Sequence, residues 1–105
     1  MKLNPEMKLP DSVNICGMIY PISVISGLRS SDDAETKVDG LFSRGPASIK
    51  IEGKLEDQER WQTFLHELIH GWLIMANIEL EEEEKKVDAL AYQAYCTLFN
   101  TDWKK

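Results

Sequence analysis

The chain has 105 residues, 43% of them hydrophobic and 29% charged, which is typical of a folded domain and enough for one modest core. Its net charge is −6, and no basic stripe is present to meet phosphates, so the composition argues against binding of nucleic acid or of anionic membranes. We therefore expect a single domain over residues 1–105.

The amino terminus and the cysteines indicate the cellular compartment. The opening Met-Lys-Leu-Asn-Pro-Glu lacks the apolar stretch of a secretion signal. The longest apolar run, residues 68–78, contains His70 and Asn77 and is too short to span a bilayer. Cys16 and Cys96 lie far apart in the sequence, and we expect reduced, buried thiols rather than a disulfide. These features predict a cytoplasmic protein.

The first half of the chain alternates short β-prone runs with turn residues. Gly17 separates the first two runs, and Ser43-Arg44-Gly45-Pro46 separates the last two, which predicts two hairpins. Pro21 indicates an edge strand or a bulge. We expect the runs to form a small antiparallel sheet: residues 13–16, 19–25, 37–42 and 48–52.

The second half has helical periodicity. Apolar residues at three- and four-residue intervals predict a helix from about residue 57 to 76 and a second from about 81 to 99. The residues predicted to face inward are Trp61, Phe64, Leu65, Leu68, Trp72, Leu73 and Ala76, then Val87, Leu90, Ala91, Ala94 and Leu98. Gly71 is the weak point of the first helix, because glycine costs a helix interior about 1 kcal/mol.

The first helix carries both histidines of the chain, four residues apart, with a glutamate after the first. On a helix, His66 and His70 lie one turn apart on one face, so two imidazole nitrogens can bind a single Zn²⁺. Glu67 is rotated by about 100°, and there it can take a proton from a water activated by the metal. Two buried imidazoles and a carboxylate without partners would be costly, and a metal removes that cost.

A catalytic zinc also needs a third protein ligand, and no further histidine or cysteine pair is left. We expect a carboxylate from the run of glutamates at residues 81–84 or from Asp88. Glu84 shares the inward face with Asp88, one turn away, whereas Glu82 and Glu83 should point away. We therefore expect Glu84 to be the ligand and Asp88 to hold a ligand histidine, with Asp88 as the alternative ligand.

The sequence His66-Glu67-Leu68-Ile69-His70, followed by Glu84 and Asp88, resembles the gluzincin metallopeptidases. More narrowly, it is similar to the small phage and prophage proteins related to the ImmA/IrrE peptidases. The resemblance implies zinc binding by His66, His70 and Glu84, with Glu67 as the general base. It departs at Val87-Asp88, where the ImmA/IrrE pattern usually has Ala-Asn, and we expect these 105 residues to form a minimal peptidase core without the further domains usual in that family.

These features predict an α+β domain in which the sheet packs on a zincin active-site helix and a C-terminal helix. The expected activity is zinc-dependent hydrolysis of a peptide or protein substrate. The alternative is a phage-type regulatory or protein-binding module that retains the fold without peptidase activity. Tyr92 and Tyr95 could donate to an oxyanion or merely pack, and residues 49–51 could pair with an extended peptide or be an ordinary strand.

Overall fold

A computed structural model describes residues 1–104 of the chain. It contains four strands followed by two helices, which confirms the predicted α+β class. No helix within these residues is long and apolar enough to cross a membrane. The elements are β1 Ser12–Ile15, β2 Met18–Ile25, β3 Gly40–Arg44, β4 Ala47–Glu52, α1 Asp57–Met75 and α2 Glu83–Asn100.

The sheet is mixed, and the prediction of an antiparallel sheet is wrong in this detail. Strands β1 and β2 form one antiparallel hairpin and β3 and β4 another, as predicted. The two hairpins join through β2 and β4, which run parallel from the pair Ile22–Ile49 to the pair Ile25–Glu52, giving the order β1-β2-β4-β3. Turn residues determine the local pairing within a hairpin, whereas the pairing between hairpins depends on how the long connection returns the chain.

Strand β4 is central and carries the deepest part of the core. Its Ile49 and Ile51 are fully buried, and so is Tyr20 of β2, whose ring stacks on Phe42 with centroids 5.1 Å apart. Pro21 does not mark an edge strand: it ends the ladder with β1, and the ladder with β4 begins at the next residue. The edges of the sheet are β1 and β3.

Helix α1 packs on the sheet through Phe64, Leu65 and Ile69, and Gly71 does not break it. Gly71 is buried at a close contact between the helix and the sheet. A Cβ added there would lie 2.7 Å from Cε2 of Phe42 and 3.1 Å from Cδ1 of Ile15. The glycine therefore allows the close approach of helix and sheet.

The end of α1 has a structural cause that periodicity did not indicate. Asn77 adopts a left-handed conformation (φ 57°), and its N–H donates to the carbonyl of Ile74. The N–H of Ile78 donates to the carbonyl of Leu73. These two bonds form a Schellman motif, which ends the helix and turns the chain toward α2.

Some expected burial is not found. Trp72 and Leu90 belong to the predicted inward stripes but are 53% and 49% exposed. The stripe marks the face that can be buried, and the neighbouring elements decide how much of it is covered. Both cysteines are free, as expected, but Cys16 is exposed rather than buried, because it occupies the turn between β1 and β2 with φ 54°.

Gly71→Ala is expected to destabilise the protein by about 1–3 kcal/mol, because the methyl group would overlap the Phe42 ring. This outweighs the gain of about 1 kcal/mol that alanine brings to an ordinary helix interior. Chemical denaturation measures the free energy of unfolding. In a Phe42→Leu background the same substitution should cost less, and a stabilising effect of Gly71→Ala in the wild type would contradict the close approach.

Candidate metal centre

A cleft of about 830 Å³ lies between α1, α2 and the edge strand β3. The two helices run antiparallel, since Glu83 at the start of α2 lies beside His70 and Asp88, further along α2, lies beside His66. The histidine face of α1 forms one wall of the cleft, and the carboxylates of α2 face it across the opening.

Three side chains predicted as metal ligands meet at one point. The Nε2 atoms of His66 and His70 lie 3.1 Å apart. Oε2 of Glu84 lies 3.1 Å from Nε2 of His66, and Oε1 of Glu84 lies 2.7 Å from Nε2 of His70. This group could hold a metal ion.

The opposite nitrogen of each imidazole faces a carboxylate. Oδ1 of Asp88 lies 2.6 Å from Nδ1 of His66, and Oε2 of Glu83 lies 2.8 Å from Nδ1 of His70. A carboxylate at Nδ1 favours the tautomer that carries the proton there, so Nδ1 donates and Nε2 keeps its lone pair. Two nitrogen lone pairs and the Glu84 carboxylate then face one another, an arrangement that a bound cation stabilises.

The cluster is closed on the helix side and open toward the cleft. The side chains of His66 and His70 are 15% and 12% exposed, whereas that of Glu84 is 77% exposed. A metal held by these three residues would therefore be accessible from the cleft, and a fourth position would be left for a molecule bound there.

Glu67 lies next to the cluster and is the buried charged residue of the core, with 9% of its surface exposed. A Cβ added to Gly40 would lie 3.0 Å from Oε2 of Glu67, so the carboxylate packs directly against the start of β3. Burial raises the pKa of this carboxyl group, while His66 and His70 act in the opposite direction. The side chain lines the cleft and can meet a molecule bound at the metal site.

The structure brings together every residue predicted for the site and adds one that the sequence reasoning placed wrongly. Glu83 was expected to point away, yet it contacts His70. The expectation assumed one regular helix from Glu81, whereas α2 begins at Glu83 after a left-handed residue, Glu82 (φ 52°). Within α2, however, Glu83 lies four residues before Val87, so helical rotation places it on the inward face, and the expected direction was wrong. Asp88 contacts Nδ1 of His66, as expected of a residue that orients a ligand histidine.

The structure decides the alternatives that the sequence left open for the two tyrosines and for residues 49–51. Tyr95 is buried and stacks on Phe99 with centroids 4.6 Å apart, so its role is packing. Tyr92 is 54% exposed and lines the cleft, and the neighbouring Cys96 thiol raises its pKa. Residues 49–51 belong to β4, which is paired on both sides, and so they offer no free edge for a peptide.

The comparisons with known proteins add no relative. No family model matches the chain, and neither a curated protein nor a solved structure shows significant similarity to it. The resemblance to gluzincins and to ImmA/IrrE-like proteins therefore stays a prediction from the motif residues.

Single substitutions should distinguish the predicted metal ligand Glu84 from Glu83 and Asp88, the carboxylates that contact the histidines. Glu84→Ala is expected to abolish tight Zn²⁺ binding, because one of the three converging donors is lost. Asp88→Ala and Glu83→Ala should each weaken binding about 10- to 100-fold, because a histidine loses its partner at Nδ1. Competition with a chelating dye measures the affinities.

Two controls belong to this series. Glu81→Ala removes a carboxylate of the same run that does not line the cleft, and it should leave the affinity unchanged. Glu83→Gln keeps an oxygen that accepts from Nδ1 and should lose less affinity than Glu83→Ala. If Asp88→Ala loses the metal outright while Glu84→Ala keeps it, the two residues have exchanged roles.

Glu67→Gln should raise the stability of the metal-free protein at neutral pH. Burial raises the pKa of Glu67 in the folded state, so the wild type loses stability as pH rises from the unfolded value, about 4.3, through the folded one. The variant does not ionise at this position. Melting in chelator should show a difference that is small near pH 4 and larger at pH 7, and a constant difference across this range would contradict the assignment.

Proposed function

We propose that the chain is a zinc-dependent metallopeptidase in which His66, His70 and Glu84 hold the metal and Glu67 is the general base. The observation that carries the proposal is the meeting of both Nε2 atoms and the Glu84 carboxylate at one point, while Glu83 and Asp88 occupy the opposite nitrogens. This arrangement joins a metal site to an adjacent carboxylate.

The donor set suits zinc. Two imidazoles, one carboxylate and an open position form a catalytic zinc set, whereas Mg²⁺ and Ca²⁺ favour all-oxygen sites. Tetrahedral ligands at zinc distances are separated by about 3.3 Å, close to the 2.7–3.1 Å between the three donors. Iron(II) accepts the same ligands, so analysis of the metal in the purified protein is part of the test.

Each residue would have a defined part in hydrolysis. Zinc, when bound, would polarise a substrate carbonyl and make a water more acidic. Glu67 lines the cleft, and no hydrogen bond lowers the pKa of its carboxyl group. Its carboxylate is therefore free to take the proton of the attacking water and to return it to the leaving amine. Glu83 and Asp88 keep the imidazoles in the ligating tautomer.

The substrate would be an extended segment of a peptide or protein. Strand β3 is an edge of the sheet, and its residues Gly40, Leu41 and Phe42 line the cleft beside the metal cluster. An extended chain could pair with this edge and bring a peptide bond to the cluster. A cytoplasmic location belongs to this proposal as well, and the two free cysteines are consistent with it.

The test combines metal analysis with a peptide library. The wild type is expected to contain one zinc per chain and to cleave peptides in a chelator-sensitive reaction. Glu67→Gln should keep the zinc and lose about 10²- to 10⁴-fold in kcat/KM, because general acid–base catalysis is removed.

Glu81→Gln is the matched control, since it removes a glutamate outside the cleft and should keep both zinc and activity. Equal cleavage by wild type and Glu67→Gln would contradict the role of the base. A zinc-loaded wild type that cleaves nothing in the library would favour a protein-binding module.

A further inference from the structure

The cleft continues beyond the metal cluster toward the start of α1. Because α2 runs antiparallel to α1, Tyr92 lies one turn past Asp88 in that direction. Glu59 lines the same end of the cleft, seven residues before His66 and therefore about 10 Å away along the helix. An exposed aromatic ring and a carboxylate thus lie at this end.

A second carboxylate reaches this end from the residue that precedes β3. A Cβ added to Gly40 would lie 2.8 Å from Cγ2 of Thr63, so the start of β3 rests on this turn of α1. Asp39 precedes Gly40 and lines the cleft, and Glu59 lies one helical turn before Thr63. Asp39, just before β3, Glu59 of α1 and Tyr92 of α2 therefore border the cleft from three sides, and we call them the acidic end.

The charge of the cleft is of one sign. No lysine or arginine lines it, whereas six carboxylates do: Asp39, Glu59, Glu67, Glu83, Glu84 and Asp88. Four of these adjoin the metal cluster, and a divalent cation would offset only part of their charge. Glu67 is about nine-tenths buried and lines this cleft, which indicates a ligand site rather than a solvated acidic surface.

We infer that the acidic end binds the side chain of a lysine or arginine, so that the substrates are peptides with a cationic residue within about three positions of the scissile bond. Carboxylates form charge-assisted hydrogen bonds with ammonium and guanidinium groups, and the Tyr92 ring adds a cation–π contact. An extended peptide advances about 3.3 Å per residue, which makes about 10 Å three residues. The inference rests on the proposed peptidase function.

The experiment uses the zinc-loaded full chain and quenched fluorescent peptides that differ at one position, which holds Lys, Gln or Glu. The kcat/KM for the Lys peptide is expected to exceed that for the Glu peptide about tenfold or more at low salt, and the preference should shrink at high salt. The double variant Asp39→Asn/Glu59→Gln should lose most of this preference. The double variant Glu6→Gln/Glu79→Gln removes the same charge outside the cleft and should retain it.

Peptide binding to zinc-loaded Glu67→Gln, measured by calorimetry, separates this inference from the proposed function. Tighter binding of the Lys peptide than of the Glu peptide, dependent on Asp39 and Glu59, supports the acidic end even where no peptide is cleaved. Equal binding and equal kcat/KM for the three peptides overturn the inference while leaving the peptidase proposal intact. A preference lost equally in both double variants overturns it as well, because net charge alone would then explain it.

Discussion

Helix α1 lies against strand β3 at two glycines, one on each element. Gly71 gives space to Phe42, and Gly40 gives space to Thr63 and Glu67, and a Cβ at either position would come within 3 Å of its neighbour. Close packing of this kind leaves no room for a shift of the helix along the sheet. It keeps the Glu67 carboxylate against β3 and aligns the histidine face of α1 with the edge of the sheet. The positions of the cleft and of the metal cluster depend on this contact.

The charges around the cluster would favour the binding of a cation. Four carboxylates surround two imidazoles, and one of the four, Glu67, is largely buried. Burial penalises the ionised form of Glu67, and the other three carboxylates, which are more exposed, repel it and one another. A metal ion held by His66, His70 and Glu84 would offset part of this cost.

The connection between the helices determines which carboxylates reach the histidines. Asn77 ends α1 through its left-handed conformation, and Glu82, also left-handed, precedes α2. The short segment between them turns α2 back along α1, so Glu83 meets the later histidine and Asp88 the earlier one. The same direction places Tyr92 toward the start of α1. The geometry of this loop therefore determines which carboxylates contact Nδ1 of the two histidines. It also determines that Tyr92 belongs to the acidic end.

The sequence by itself determined the features that depend on local spacing. The four-residue interval of His66 and His70 places both on one helix face, Glu84 and Asp88 follow the same rule, and turn residues predict both hairpins. The tertiary structure alone decided what depends on distant parts of the chain. The parallel pairing of β2 with β4, the exposure of Trp72 and the function of Gly71 as a contact point belong here. The pairing of Glu83 with His70 does too, because it depends on the direction of α2 relative to α1, which helical periodicity does not contain.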